Sequence, residues 1–183
     1  MGKTLVRCIE SNAVPGVQLA GAVDLWDAPD LGKPCGNTGI NLTSDLAAVA
    51  TKSDVLIDFS GHQGTAGNAP RIAGWGKGWV IGTTGISPEG QAAAAGAAKV
   101  LPIVQAPNMS LGVNLLFVLL EQAGRALKER GYDVEIIERH HRKKKDSTSG
   151  TALGLGQAVA RGMDVKLDEV SVHGRHGLTK TER

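Results

Sequence analysis

The chain has 183 residues and sets 20 Lys and Arg against 18 Asp and Glu, a formal net charge of +2 that gives no general case for nucleic acid. Hydrophobic residues make up 42% and charged residues 21%, a balance found in globular chains and not in disordered ones. No apolar run reaches the roughly 20 residues that cross a bilayer, so a spanning helix is excluded and no membrane partner is expected.

In chain order, residues 1–6 (MGKTLV) are helical in character, with no strand ahead of them. A doubly wound nucleotide domain begins with a strand feeding a Gly-rich turn into such a helix, so the start is expected to be cut. Cys8 falls on this helix as a core residue. With Cys35 it makes only two cysteines, too few for a disulfide framework, which together with the lack of a charged-then-apolar leader points to reduced thiols and a cytoplasmic setting. Residues 16–24 (GVQLAGAVD) form a β-leaning apolar run ending in an acid. Three more short apolar runs follow at 54–59 (DVLIDF), 78–81 (GWVI) and 101–105 (LPIVQ). Residues 87–100 are Ala-rich and open with Ser-Pro-Glu. A Ser cap and a Pro at the first helical position suit a helix start, because Pro lacks the N–H that would be orphaned there. Residues 110–129 carry apolar side chains at helical spacing up to a Gly131 stop.

Beyond Gly131 the pattern changes. Residues 132–137 (YDVEII) alternate and predict a strand with one exposed face, a basic stretch covers 139–145, Ser147-Thr148-Ser149-Gly150-Thr151 introduces a helix through Gly162, and 167–173 predict one more strand. The fold class expected is α/β: a Rossmann-like doubly wound parallel sheet lacking its first strand, plus part of an α+β substrate-binding domain. The boundary lies near 108–112, giving a dinucleotide-binding domain at 1–109 and a partial substrate-binding and oligomerisation domain at 110–183. Two strands and one helix are too little for an independent domain, so the far end is also expected to be cut. Trp26, Trp75 and Trp79 are expected to serve packing.

Ligands of open α/β sheets bind beyond the carboxyl ends of the strands. Three predicted ends carry small or polar residues: Asp58-Phe59-Ser60-Gly61, Gly82-Thr83-Thr84-Gly85 and Ala106-Pro107-Asn108. Gly82 and Gly85 permit close approach of a ring or phosphate. Asp24 stands where a carboxylate takes a ribose hydroxyl, or is simply a loop acid. Gly154-Leu155-Gly156 begins like a dinucleotide fingerprint. However, Val159 occupies the third small position and the run sits inside a helix, so it signals close helix packing.

The strongest signal is residues 138–151 (ERHHRKKKDSTSGT). His140, His141 and four further cations precede a Ser-Gly-Thr helix start, whose free N–H groups and positive dipole suit an anion. Together they make a pocket for a small polycarboxylate with a proton donor in reach; the competing readings are a solvated basic loop or a localisation-type cluster. Adjacent histidines on a strand face opposite ways and no third ligand is evident, so no metal is expected.

The run HHRKKKDSTSGTA resembles the active-site signature of the 4-hydroxy-tetrahydrodipicolinate (dihydrodipicolinate) reductase family, close to HH-x-x-K-x-D-x-x-SGTA. VLIDFS, VIGTTG and APNMSLGVN (106–114) resemble further stretches of that family in the same order, and the likeness covers nearly the whole chain. Met1-Gly2 resembles the end of the family's Gly-rich turn, and the family continues past residue 183. The resemblance implies NAD(P)H-dependent reduction of 4-hydroxy-tetrahydrodipicolinate in lysine and diaminopimelate biosynthesis, with reduced NAD or NADP as cofactor and a small dicarboxylate as substrate. It also implies a homotetramer in the complete protein. By position, His140 is the catalytic donor/acceptor and Lys144 the proton donor, while His141, Ser149, Gly150 and Thr151 hold the substrate. Met1, Gly2, Phe59, Gly82, Thr83, Thr84, Ala106, Pro107, Asn108 and Met109 line the cofactor, with Asp24 on the adenosine ribose. Leu25 stands where the family often places Arg for a 2′-phosphate, which favours NAD. Ser147-Thr148 replaces the commoner Ala-Pro and leaves the N–H donors of the turn intact. Two alternatives remain: another two-domain NAD(P) dehydrogenase, which would lack the basic signature, and a non-catalytic dinucleotide-binding fragment.

Overall fold

The computed structural model describes residues 1–140, 142, 146–174 and 177–178. The chain divides into two units, Met1–Gln105 and Ala106–Arg183. The first contains α1 (Gly2–Glu10), β1 (Ala22–Val23), β2 (Leu42–Thr43), α2 (Leu46–Ala50), β3 (Val55–Asp58), α3 (His62–Trp75), β4 (Gly78–Ile81), α4 (Pro88–Ala97) and β5 (Ile103–Gln105). The second contains α5 (Leu111–Leu127), β6 (Asp146–Ser147), α6 (Gly150–Met163), α7 (Leu167–Val170) and β7 (Gly177–Leu178).

In the first unit β3, β4 and β5 form a parallel sheet in that order. Asp58 pairs with Ile81 and Ile81 with Gln105, so the three carboxyl ends finish in register. Side chains alternate across a strand. Leu56 of β3 and Trp79 and Ile81 of β4 therefore point to one face, where they pack with Ala69 and Ile72 of α3 and Ala94 and Ala97 of α4. On the opposite face Val55 and Ile57 keep 52% and 47% of their surface exposed. Ser87 caps α4 by accepting from Gly90 N at 3.2 Å, with Pro88 at the first position. α3 was not legible in the sequence: its Gly- and Ala-rich stretch contains Pro70 and little amphipathic pattern.

The run at 16–24 contributes only Ala22 and Val23 to a ladder. They pair in parallel with Leu42 and Thr43, in a sheet separate from β3–β5. Gly16, in a turn at the head of the run, takes a left-handed φ of +83°, and Gly21 gives way to Val49 of α2, whose Cγ2 lies 2.6 Å from where a Cβ would stand. Two expectations about packing are corrected. Trp79 is buried and Trp75 packs against the core, but Trp26 is 80% exposed, and Cys8 is exposed because α1 buries none of its residues.

In the second unit α5 and α6 approach closely enough that small residues are obligatory. A Cβ on Gly124 would lie 2.7 Å from the Val159 carbonyl oxygen, and one on Gly162 would run into the Glu121 carbonyl. Gly154 faces the Phe117 ring, at 2.9 Å from a would-be Cβ, so the glycines read as helix packing do serve that purpose. Glu121 also accepts from Arg161 at 3.1 Å and from Arg125. Neither predicted strand of this unit forms. Residues 132–137 join no ladder among the described residues, and alternation without a partner strand does not make a sheet. Within 167–173 the chain instead turns into α7, whose first turn holds Asp168 and Glu169, as a helix N-terminus favours. The ladder that does appear, β6 antiparallel to β7, is two residues long.

Gly162→Ala is expected to cost about 3 kcal/mol, since overpacking here meets backbone instead of a movable side chain. Gly67→Ala, in the open middle of α3, is expected to stabilise by roughly 0.5–1 kcal/mol. Urea denaturation of the two variants should show midpoints moving in opposite directions.

Candidate functional site

At the carboxyl edge of β3 and β4, Asp58 is buried, and a buried carboxylate must be met by donors. It accepts from Ser60 N at 2.8 Å, Thr65 Oγ1 at 3.1 Å and Thr83 Oγ1 at 3.2 Å. The acid thus ties the loop after β3, the first turns of α3 and the loop after β4 into one piece. Thr83, predicted to line the cofactor, has its hydroxyl committed to this network, so what it offers a ligand is backbone. Phe59 explains Gly82: any Cβ there would overlap the Phe59 ring, so the glycine lets the ring lie against the β4 loop. Thr84 is exposed, and Gly85 turns the chain with φ +67°. Thr65 had no assigned role in the sequence, and Asp58 was read only as part of a strand end suited to a ligand. An acid ending a buried strand, followed by hydroxyl residues, was the available sign.

Asp24 is exposed just beyond β1, and its carboxylate accepts from Leu25 N at 2.8 Å. Met1 and Gly2 stand at the start of α1, which carries no acid in its first turn and has open space at Gly2. That helix is fastened by Lys3 to Asp30 at 2.6 Å and by Glu10, which accepts from Asn37 N at 2.6 Å. A dinucleotide fits these features. Gly2, Gly61 and Gly85 all leave space where a side chain would intrude, and the one acid within 58–61 and 82–85 is buried and already met by three donors.

In the second unit, residues 106–109 lead into α5. Asn108 accepts from Ser110 N at 2.8 Å and donates to Thr151 Oγ1 at 3.1 Å, so it links the first turns of α5 and α6. Its own carbonyl accepts from Asn114 Nδ2 at 2.8 Å. Ala106 is partly buried, and Pro107 and Met109 are exposed. Ser149 caps α6 by accepting from Ala152 N at 3.1 Å.

Glu138 completes the arrangement. One carboxylate oxygen accepts from Ser149 N at 2.9 Å, and the other accepts from Ser149 Oγ and lies 2.8 Å from His140 Nε2. Desolvation pushes the Glu138 carboxyl up. The Ser149 hydroxyl, His140 and the Ser149 amide together outweigh it and hold the group at about 2, from an ordinary 4.5. The sequence had no role for Glu138. Residues two apart on an extended segment share a side, so its pairing with His140 was within reach of the pattern. Thr148 Oγ1 lies 2.9 Å from His173 Nδ1, a further link across this unit. The predicted His141 and Lys144 lie outside the described residues.

Residues 1–109 match the family model described as the N-terminus of dihydrodipicolinate reductase, and residues 112–181 match the model of its C-terminus. The chain belongs to the dihydrodipicolinate reductase family. It is 45% identical to the 4-hydroxy-tetrahydrodipicolinate reductase of Cupriavidus metallidurans over 98% of its own length and 68% of that protein's. It is 40% identical to the same-named protein of Anaeromyxobacter dehalogenans, over 97% of this chain and 67% of that one. The chain therefore spans about two thirds of the length of the curated relatives it matches. A solved structure described as dipicolinate-bound dihydrodipicolinate reductase from Paenisporosarcina sp. TG-14 shares the fold, with a TM-score of 0.62 at 24% identity over 89% of this chain and 63% of that one. The reductase function of lysine biosynthesis belongs to this family, and membership favours it over another two-domain dehydrogenase.

Two outcomes are expected from the site. Because folding lowers the carboxyl of Glu138, its contribution to stability is complete above about pH 4.5 and is lost as the pH falls towards about 2. Carboxyl-carbon NMR should find its titration midpoint near the lower value, and a midpoint near 4.5 would contradict the network. Thr83→Val should leave a buried lone pair of Asp58 unmet and cost about 1–3 kcal/mol in chemical denaturation.

Proposed function

We propose that this chain carries the two halves of a nicotinamide-dependent reductase acting on 4-hydroxy-tetrahydrodipicolinate. The observation that supports it most is the second-unit cluster, in which a histidine is fastened by a carboxylate to the capped N-terminus of a helix that opens Ser-Gly-Thr. In this reading Gly150 and Thr151 offer first-turn N–H groups to a substrate carboxylate, where the helix dipole favours negative charge. Ser149 contributes by capping the helix and not by touching the substrate, because its hydroxyl is already bonded to Glu138 and Ala152 N. His141 adds positive charge for the second carboxylate. His140 is the donor/acceptor at the reacting ring, and Lys144 gives the proton that completes reduction. A lysine among so many cations has its charged form disfavoured, which suits an acid.

Reduced NAD or NADP supplies the hydride when bound. In the first unit Met1 and Gly2, at the open start of α1, suit the phosphates. Phe59, Gly82, Thr83 and Thr84 form a strand-end edge that carries no acid of its own, and Asp24 takes the ribose; Ala106 to Met109, which belong to the second unit, are assigned to the cofactor by the family resemblance alone. A carboxylate at Asp24 with Leu25 beside it offers a 2′-phosphate repulsion and no guanidinium, so NADH is the preferred form. The two cysteines favour a cytoplasmic setting, and the family resemblance carries a homotetramer of the complete protein into this reading.

His140→Ala or Lys144→Ala should lower turnover by roughly 10²–10⁴-fold, with the NADH dissociation constant unchanged within about twofold. NADH oxidation and fluorescence titration read the two quantities, and wild-type turnover in both variants would end the assignment. The same titration should find NADH bound at least about tenfold more tightly than NADPH.

A further inference from the structure

We propose that Glu138 is the positioning residue of this reductase: its carboxylate fixes His140 as the tautomer with hydrogen on Nε2 and anchors that ring to the N-cap of α6. The inference rests on the functional reading above and adds to it the atom through which His140 works.

The hydrogen-bond inventory forces the assignment. Ser149 has a single hydroxyl hydrogen. Its oxygen accepts from Ala152 N at 3.1 Å, so that hydrogen is directed at the Glu138 carboxylate. The neighbouring Ser149 N–H donates to the other carboxylate oxygen at 2.9 Å. An ionised carboxylate accepts and never donates, so a ring nitrogen 2.8 Å from it must itself carry hydrogen. The nitrogen in question is Nε2, which leaves Nδ1 as the atom at which His140 takes up or gives a proton. A glutamate serving only as a helix cap would need just the Ser149 N–H. Here one oxygen is shared between the cap hydroxyl and the imidazole, so the first turn of α6 and the ring move as one unit. Gly150 and Thr151, the residues proposed to hold the substrate carboxylate, belong to that same turn. Glu138 therefore sets the distance between the carboxylate-binding amides and the proton-exchanging nitrogen. Orientation of this kind decides rate more than affinity.

The test uses the whole chain labelled with ¹⁵N-histidine. Two-bond ring correlation spectra of the neutral His140 ring should show a hydrogen-bearing Nε2 and a bare Nδ1 in the wild type. Glu138→Asp keeps the negative charge near the helix but is one methylene too short to join Ser149 to His140, so its ring should exchange between tautomers. The same variant should lower kcat by roughly ten- to a hundredfold while KM stays within about threefold, a split that loss of a helix cap alone would not produce. Hydrogen on Nδ1 in the wild type, an unchanged single tautomer in Glu138→Asp, or an unchanged kcat would each overturn the proposal. The ring spectra need neither cofactor nor substrate. A chain that fails to oxidise NADH yet keeps the Nε2 hydrogen would defeat the reductase reading alone. A chain whose turnover depends on His140 but whose wild-type ring is mixed would defeat this inference alone.

Discussion

A carboxylate withdrawn from water keeps its lone pairs, and each must be met by a donor if the charge is to stay. Each unit ties its loops to one carboxylate, the buried Asp58 in the first and the half-buried Glu138 in the second. Asp58 gathers Ser60, Thr65 and Thr83, and so holds two strand-end loops and a helix start in fixed relation. Glu138 gathers the Ser149 amide, the Ser149 hydroxyl and His140, and so joins an extended segment to a helix N-terminus. Neither acid is free to touch a ligand through an unmet oxygen. Their effect is to tie the surrounding loops to one another, which is what a site needs if its backbone N–H groups are to bind without first being ordered.

Packing follows from the same economy of small residues. Where α5 and α6 cross, Gly124 and Gly162 bring backbone against backbone, and the ion pair of Glu121 with Arg161 fastens the outer side of the contact. That close crossing gives α6 a fixed seat, and the seat matters because the helix opens with the Ser149 cap. In the first unit the Trp79 and Ile81 face of the sheet is sealed by α3 and α4, and this sets the level at which β3, β4 and β5 end together.

The parts of the fold readable from sequence are those whose signals are local. Ser87-Pro88 announces α4, the apolar spacing of 111–127 announces α5, and the short β-branched runs mark β3 to β5. Two expected strands failed because a strand is a relation between segments: residues 132–137 alternate correctly but meet no partner among the described residues, and 167–170 hold acids that favour a helix start. α3 was invisible because Gly, Ala, Asn and Pro70 carry almost no helical stripe. For the site, the basic run and the Ser-Gly-Thr cap were legible as chemistry. The role of Asp58 was hidden because Thr83 lies 25 residues away in the chain. The role of Glu138 was available from its spacing to His140 alone, whereas its bonds to Ser149 come from folding across 11 residues.

In the proposed reading the first turn of α6, with His140 fastened to it, receives a dicarboxylate. The decisive measurement is an NMR titration of the chain, reading backbone amides and histidine rings, with pyridine-2,6-dicarboxylate in the presence of NADH. Saturable shifts are expected at Gly150 and Thr151 and at the His140 ring, with the far end of α5 unmoved. Saturable binding that leaves those three residues unshifted, or no binding at all, would contradict that reading.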